Sequence, residues 1–216
     1  MKRQFIFIAI SLLLAVTGLN SCKKSNDTKP ADKPVVLANT LWTGEFNYND
    51  GKAQPMRIAF GESGTLTWAE FKSEYTGSWK LENGLLTISI SGTASFTANI
   101  SSDSALTNIK STDISGRKLM NAVQTGNDDA VVDGTKWAAP EVSIEFKAGN
   151  KLDLFFGASP FPNYTDINYT QKRKAIYFSL FANYDWFLVV STGAVMKGLN
   201  MAPGDPTLYT FFVTKQ

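Results

Sequence analysis

The sequence predicts an all-β protein: an antiparallel meander, closed as a barrel or stacked as a sandwich, built from two related β repeats packed together. Three observations predict it. From about Val36 to Gln216, apolar and polar residues alternate with a period of two through many short runs, the pattern of strands with one wet face. Gly and Asn punctuate those runs at short intervals, as tight hairpins require. Stretches of the first half return in the second.

The first element is not a strand. Lys2 and Arg3 give a positive start, and Phe5 to Leu19 forms an uncharged apolar core. A membrane-spanning helix needs about 20 apolar residues, so residues 1–21 fit a removed export signal better than an anchor. A buried amphipathic helix would carry polar residues at a regular period. Ser11 is the only polar residue between Phe5 and Val16. "GLNSCKK" follows, and its Cys22 is the only cysteine in the chain.

This stretch resembles the lipobox of bacterial lipoproteins, with a Bacteroidota-type flavour. Leu19 and Ser21 match the pattern, while Asn20 stands where a small or apolar residue is usual. The resemblance implies that the Cys22 thiol takes a diacylglycerol and that cleavage makes Cys22 the first residue. The chain would then sit on a membrane of the cell envelope, expected to be the outer membrane. Two or more acyl chains, at about 0.8 kcal/mol per buried methylene, hold a protein stably there. Residues 22–36 continue as a flexible tether, rich in Lys, Asp, Ser and Pro without an apolar period. Lys23 and Lys24 come first and only Asp27 is acidic nearby, so the sequence leaves the membrane face open. With Lys2 and Arg3 removed from the 21 basic side chains, 19 face 19 acidic ones. No global field attracts nucleic acid, and no internal disulfide is possible.

The first repeat, residues 37–125, offers strands in order. "MRIAF" (56–60) sets Met56, Ile58 and Phe60 on one face, and "TLTWAEF" (65–71) sets Leu66 and Trp68 on one face. "GSWKL" (77–81), "LLTISI" (85–90) and "SFTANI" (95–100) continue the alternation. "GESG" (61–64) and "ENG" (82–84) are hairpin turns. The join is "TGNDDAVVDG" (125–134). In the second repeat, residues 131–216, "GTKW" (134–137) echoes "NTLW" (39–42), and "IEFKAGNKL" (144–152) echoes "IAFGESGTL" (58–66) at a shift of 86 residues. "AIYFSL" (175–180) is the counterpart of "LLTISI". Here "LDLFF", "IYFSLF", "WFLVV" and "LYTFFV" are apolar on both faces. Strands of that kind are covered on both sides, so the second half should pack against the first or enclose an apolar cavity.

"LWTGEF", "IAFGESGTLTW" and "YTGSWKLENGLLTISI" resemble lipocalin-like or calycin-like β domains, closely over 39–100 and loosely over 135–190. Trp42 precedes Gly44, where that family has Gly before Trp. The resemblance implies a closed or nearly closed barrel with room for one small apolar ligand. A sandwich of one sheet per repeat is the alternative.

The chemistry is sparse. The chain has no histidine, which removes the commonest general base and metal ligand. The lone thiol is committed to lipid, and no Gly-rich phosphate loop is present, so we expect no enzyme, cofactor or metal. Glu70 and Glu74, and Asp128 and Asp129, are expected to be solvated surface charge rather than catalytic pairs. The aromatics are the better candidates, since Trp and Tyr combine contact area with a polar handle. Trp42, Trp79 and Trp137 alternate in phase with aliphatics and belong to the core. Trp68, Tyr75, Tyr164, Tyr169 and Trp186 are candidate ligand contacts. Tyr164 and Tyr169 are expected in a loop, "GASPFPNYTDINYT" (157–170), because its apolar residues keep no period. "DSA" (103–105) resembles an O-glycosylation acceptor of exported Bacteroidota proteins, which would modify Ser104. The expected function is a membrane-anchored lipoprotein that binds a small apolar or amphipathic ligand. The alternative is an accessory lipoprotein docking to another envelope protein or a glycan.

Overall fold

The computed structural model describes residues 35–216, except 72, 91–93, 115, 128–129, 182, 193, 203 and 206. The export signal, Cys22 and the tether as far as Pro34 lie outside the described residues, as do Asp128 and Asp129. Val35–Gln216 is one compact unit.

The chain folds into two consecutive up-and-down meanders. The first contains β1 (Thr40–Asn47), β2 (Gln54–Phe60), β3 (Thr65–Glu70), β4 (Ser73–Glu82), β5 (Leu85–Ile90), β6 (Ala94–Ile100), β7 (Leu106–Asp113) and β8 (Lys118–Thr125). These form one eight-stranded sheet in which β8 returns to pair with β1. The remaining seam, between β7 and β8, is drawn together by a bridge from Ala105 to Val123. Beside it the Gln124 N–H donates to the Ser104 carbonyl over 2.8 Å. The second meander contains β9 (Lys136–Ala138), β10 (Val142–Lys147), β11 (Lys151–Phe156), β12 (Tyr164–Lys172), β13 (Ala175–Leu180), β14 (Tyr184–Thr192), β15 (Val195–Met201) and β16 (Leu208–Lys215). It is a fully closed barrel, with β16 pairing β9. The halves therefore make two barrels, rather than one shared barrel or two flat sheets.

Alternation decides which side chains fill each barrel. In β2, Met56, Ile58 and Phe60 point inward, and Ile88 and Ile90 of β5 join them. Trp68 stacks on Phe96 with centroids 5.5 Å apart. In the second barrel Trp186 stacks on Phe178 at 5.3 Å. Eight-stranded barrels are about wide enough to be filled by side chains, and these two are so filled. Gly198 shows how tightly, since a Cβ there would come within 2.4 Å of the Phe211 ring.

The two barrels share local devices. Ahead of β1, Thr40 bonds back to the Leu37 carbonyl and accepts from Trp42 Nε1 over 3.0 Å. Ahead of β9, Thr135 bonds back to the Val132 carbonyl and accepts from Trp137 Nε1 over 2.8 Å. Leu37 and Val132 are both buried against their barrel's core. The β2–β3 hairpin takes positive φ at Ser63 and Gly64, and the β10–β11 hairpin does so at Gly149 and Asn150. Those positions are 86 apart, as the sequence shift predicts.

A third core joins the barrels from outside. Ala69 on the outer face of β3 packs with Ala175, Phe187, Val189 and Leu199 from the second barrel. This is why β13 and β14 are apolar on both faces: their inner residues fill their own barrel, and outer ones meet the first. The expected cover fails for β16, where the outer Tyr209 and Phe212 are exposed. At the edge, Lys197 Nζ sits 2.9 Å from Glu45 Oε1.

Candidate functional site

Each barrel has one end closed by the chain that enters it, through Leu37 or Val132. The opposite ends are built from equivalent positions but from different chemistry.

In the first barrel that end is charged and sealed. Glu70, at the last position of β3, points inward and is only 3% exposed. Its carboxylate accepts from Trp68 Nε1 and from the Tyr48 hydroxyl, both at 2.7 Å. Arg117 places Nε 3.2 Å from Glu70 Oε2 and Nη1 3.5 Å from Asp113 Oδ2. The guanidinium also lies 5.0 Å above the Tyr75 ring centroid. Burial, then the bond to the Glu70 carboxylate, push the Tyr48 phenol up to about 12. Burial is the largest single influence and opposes the charge on Arg117, but Glu70, Tyr48 and Asp113 together outweigh it and raise the guanidinium's pKa. Glu70 is therefore not the solvated surface charge expected from sequence. Nor can it pair with Glu74 across a cleft: Glu74 faces Ala69 on the outer surface, because successive side chains on a strand alternate faces.

In the second barrel the same end is aromatic and split. Phe156 closes β11 as Glu70 closes β3, and Tyr164 stands opposite Leu154 as Tyr75 stands opposite Trp68. Phe156 and Tyr164 meet edge to face at 6.0 Å, Tyr164 and Phe181 at 5.5 Å, and Tyr184 lies 5.5 Å from Trp186. Phe181 is 71% exposed at the rim.

The split has a local cause. Leu152 pairs with Ile167 and Leu154 with Tyr164, so β12 carries one residue more than β11 between them. That is a bulge, and a bulge bends its strand. Asp166 adopts a left-handed φ of 53° there. The buried carboxylate of Asp153 holds it, accepting from the Asp166 N–H over 3.0 Å. Lys147 Nζ, 2.7 Å from Asp153 Oδ2, balances that charge. Beyond the bulge β12 no longer pairs with β13, whose ladder with it runs only from Tyr169–Phe178 to Lys172–Ala175. The wall opens between residues 164–168 and residues 179–181.

Two solvent-accessible clefts sit at this opening, of about 470 Å³ and about 340 Å³. They share Asn168 and Ser179. The larger has Phe178, Trp186, Tyr177 and Phe71 as its aromatic lining, with Asn168, Thr170, Ser179 and Asp185 supplying polar groups. Trp186 is 3% exposed, and its Nε1 has no hydrogen-bond partner among the described residues. A buried indole N–H normally finds one.

The sequence candidates divide accordingly. Tyr164 and Trp186 come together at this opening. Tyr169 lies at the other end of β12, buried, and donates its hydroxyl to Asp133 over 2.7 Å. Burial and that bond raise its pKa. Trp68 is fully buried and Tyr75 half-buried in the first barrel. Ser104 sits in the β6–β7 turn with φ 55° and helps tie the seam through its carbonyl. Tyr164 and Tyr169 lie in a strand, not in the expected loop: the bulge breaks the alternation and so hides the strand from a period-two reading. Phe178, Phe181 and Asp153 were not anticipated as parts of a site. The signal that could have found them is the spacing Tyr164–Ile167–Tyr169, three and then two, which is what a bulged strand with one inner face produces. Among the described residues, no group of His, Cys, Asp and Glu could hold a metal ion. Compared with known proteins, the chain matches no family model, no curated protein and no solved structure.

Proposed function

We propose that this chain is a membrane-anchored envelope lipoprotein, held by lipid on Cys22, that binds a small amphipathic ligand at the opening in the wall of its second barrel. One observation carries the reading. A buried indole N–H without an acceptor stands beside a solvent-accessible cleft that has an aromatic lining and polar groups. Sites for small molecules are mostly apolar concavities of about 300–1,000 Å³ with a few placed polar groups. The aromatic faces suit a flat or apolar ligand body. Asn168, Ser179 and Asp185 suit a polar edge, and Trp186 Nε1 suits a ligand acceptor. The ligand lies in the wall, since the barrel interiors are filled. The reading is of a binding protein, not an enzyme: Glu70 and Glu74 face opposite sides of their sheet, and the chain lacks histidine.

Native mass spectrometry of the full chain, purified from its own host and released from detergent, tests the reading. The expected result is an added mass that leaves on denaturation and is absent from Trp186→Phe. An added mass kept by Trp186→Phe overturns the site. A bare protein mass in the wild type favours the accessory reading, in which the exposed Phe161 and Phe181 dock on an envelope protein or glycan. Metabolic labelling with an alkyne fatty acid tests the anchor separately, and Cys22→Ser should abolish it.

A further inference from the structure

A further cleft, of about 540 Å³, lies where the two barrels meet, and it has the opposite character. Arg57 on the outer face of β2 is 3% exposed. Its Nη2 donates to Glu74 Oε2 over 3.2 Å and its Nη1 to the Lys172 carbonyl over 3.4 Å. Its Nε has no hydrogen-bond partner among the described residues. From the second barrel, the buried hydroxyl of Tyr177, whose ring lines the neighbouring aromatic cleft rather than this one, likewise has none. Tyr177 lies within electrostatic reach of both Arg57 and Glu74. Two further cations line the cleft: Lys172, whose Nζ is 3.6 Å from Glu74 Oε2, and Arg173.

The balance is unequal. Among the described residues lining the cleft are three cations, Arg57, Lys172 and Arg173, and one carboxylate, Glu74, which pairs with the first two. Burial is the main influence lowering the Arg57 pKa; Glu74 and Tyr177 oppose it, and Arg173 adds to it by repulsion. Both unsatisfied groups, a guanidinium Nε–H and a phenol O–H, are donors. Buried donors are normally satisfied, and donors beside excess positive charge are best satisfied by an anionic acceptor.

We infer that the cleft between the barrels binds a small oxyanion, a phosphate or a carboxylate group, through Arg57 and Tyr177, with Lys172 and Arg173 drawing it in. Arg57 comes from the first barrel and the other three from the second. The anion therefore clamps the barrels together, and its binding stabilises the folded chain by mass action. This site differs in chemistry from the aromatic opening, although the Tyr177 ring also lines the larger cleft there.

The test is thermal unfolding of the full chain in mild detergent, titrated with inorganic phosphate or with acetate while chloride keeps the ionic strength constant. The expected result is a saturable rise in Tm with one of the two. Phosphate alone identifies a phosphate site, and acetate alone a carboxylate site. Lys172→Gln with Arg173→Gln changes only exposed side chains, and Tyr177→Phe keeps the ring that packs on Phe187. Each of these two variants should raise the half-saturating concentration by about tenfold. A Tm unmoved by both salts, or an equal rise in wild type and in both variants, overturns the inference.

Discussion

The two barrels begin alike and end differently. At the entry end, Thr40 and Trp42 in the first repeat what Thr135 and Trp137 do in the second. At the far end, Glu70 gathers Tyr48, Trp68 and Arg117 into a closed network. Phe156 at the equivalent position of the second barrel sits instead among aromatic rings. One residue further back in the hairpin matters more. Asp153 occupies the place of Thr67, and β3 pairs with β4 without a register shift while β11 and β12 are bulged. A buried carboxylate thus stands at the bulge in the opened wall, where the sealed wall has Thr67 and no register shift. The same frame is made into packing in one copy and into a cleft in the other, with little change to the strands that carry it.

The comparison breaks most decisively at Arg117. Arg117→Met would leave the buried Glu70 without the Arg117 cation. Breaking a buried ion pair from one side costs about 3–5 kcal/mol, so urea unfolding should show the first barrel lost at much lower denaturant. A loss below about 1 kcal/mol would mean the network behaves as surface charge.

The next test converts one barrel toward the other. Asp153→Thr removes the acceptor of the Asp166 N–H and should cost about 1.5–3 kcal/mol, the range for hydrogen bonds to charged groups. It should also let β12 pair further along β13. Hydrogen exchange would then show new protection at residues 179–180, and any mass bound in the wild type would be lost. Unchanged exchange at those residues would show that Asp153 does not hold the wall open.

The shared end should respond equally. Thr40→Val and Thr135→Val each remove the acceptor of an indole N–H. A buried donor left unsatisfied costs about 1–3 kcal/mol, and denaturant midpoints should fall by similar amounts in the two variants. A large difference would mean the matching motifs carry different loads.

The smallest effect belongs to the contact between the barrels. Burial is the largest single influence on Glu45 and would raise its pKa. The bonds from Asn121 and Lys197 and the Lys197 charge together outweigh it, so the carboxyl is held below its ordinary value. A depressed folded pKa adds stability above the unfolded pKa, near 4.5, and loses it as pH falls through the folded value. Glu45→Gln should therefore cost up to about 1 kcal/mol at neutral pH, as for other exposed or half-exposed pairs. The difference from wild type should vanish on acidification below that range. A difference independent of pH would point to packing rather than charge.

Much of the fold was legible in the sequence because alternation is a local signal. Met56, Ile58 and Phe60, or Leu86, Ile88 and Ile90, name an inner face without reference to the rest of the chain, and the structure places them there. The tight turns were legible for the same reason, since Ser63, Gly64, Gly149 and Asn150 take the positive φ their types tolerate. β7 and β8 carry no such signal. "LTNIKSTD" and "KLMNAVQT" are mostly polar on both faces, and they are strands because β6 and β1 offer them hydrogen-bonding edges. The aromatic candidates Tyr164 and Trp186 were visible as residue types, but which aromatics meet was not.

By itself the sequence determined strand faces, turn positions, the repeat and the likeness of its first residues to an export signal. Faces, turns and the export signal depend on residues within a few positions of one another, and the repeat is a likeness between two such short stretches. The tertiary structure alone decided that each half closes on itself, that Glu70 is buried while Glu74 is not solvated alone but paired with Arg57 and Lys172, and that the bulge in β12 falls where Asp153 accepts from the Asp166 N–H. These depend on register and on contacts between distant strands, and one extra residue in β12 is enough to change which side chains meet.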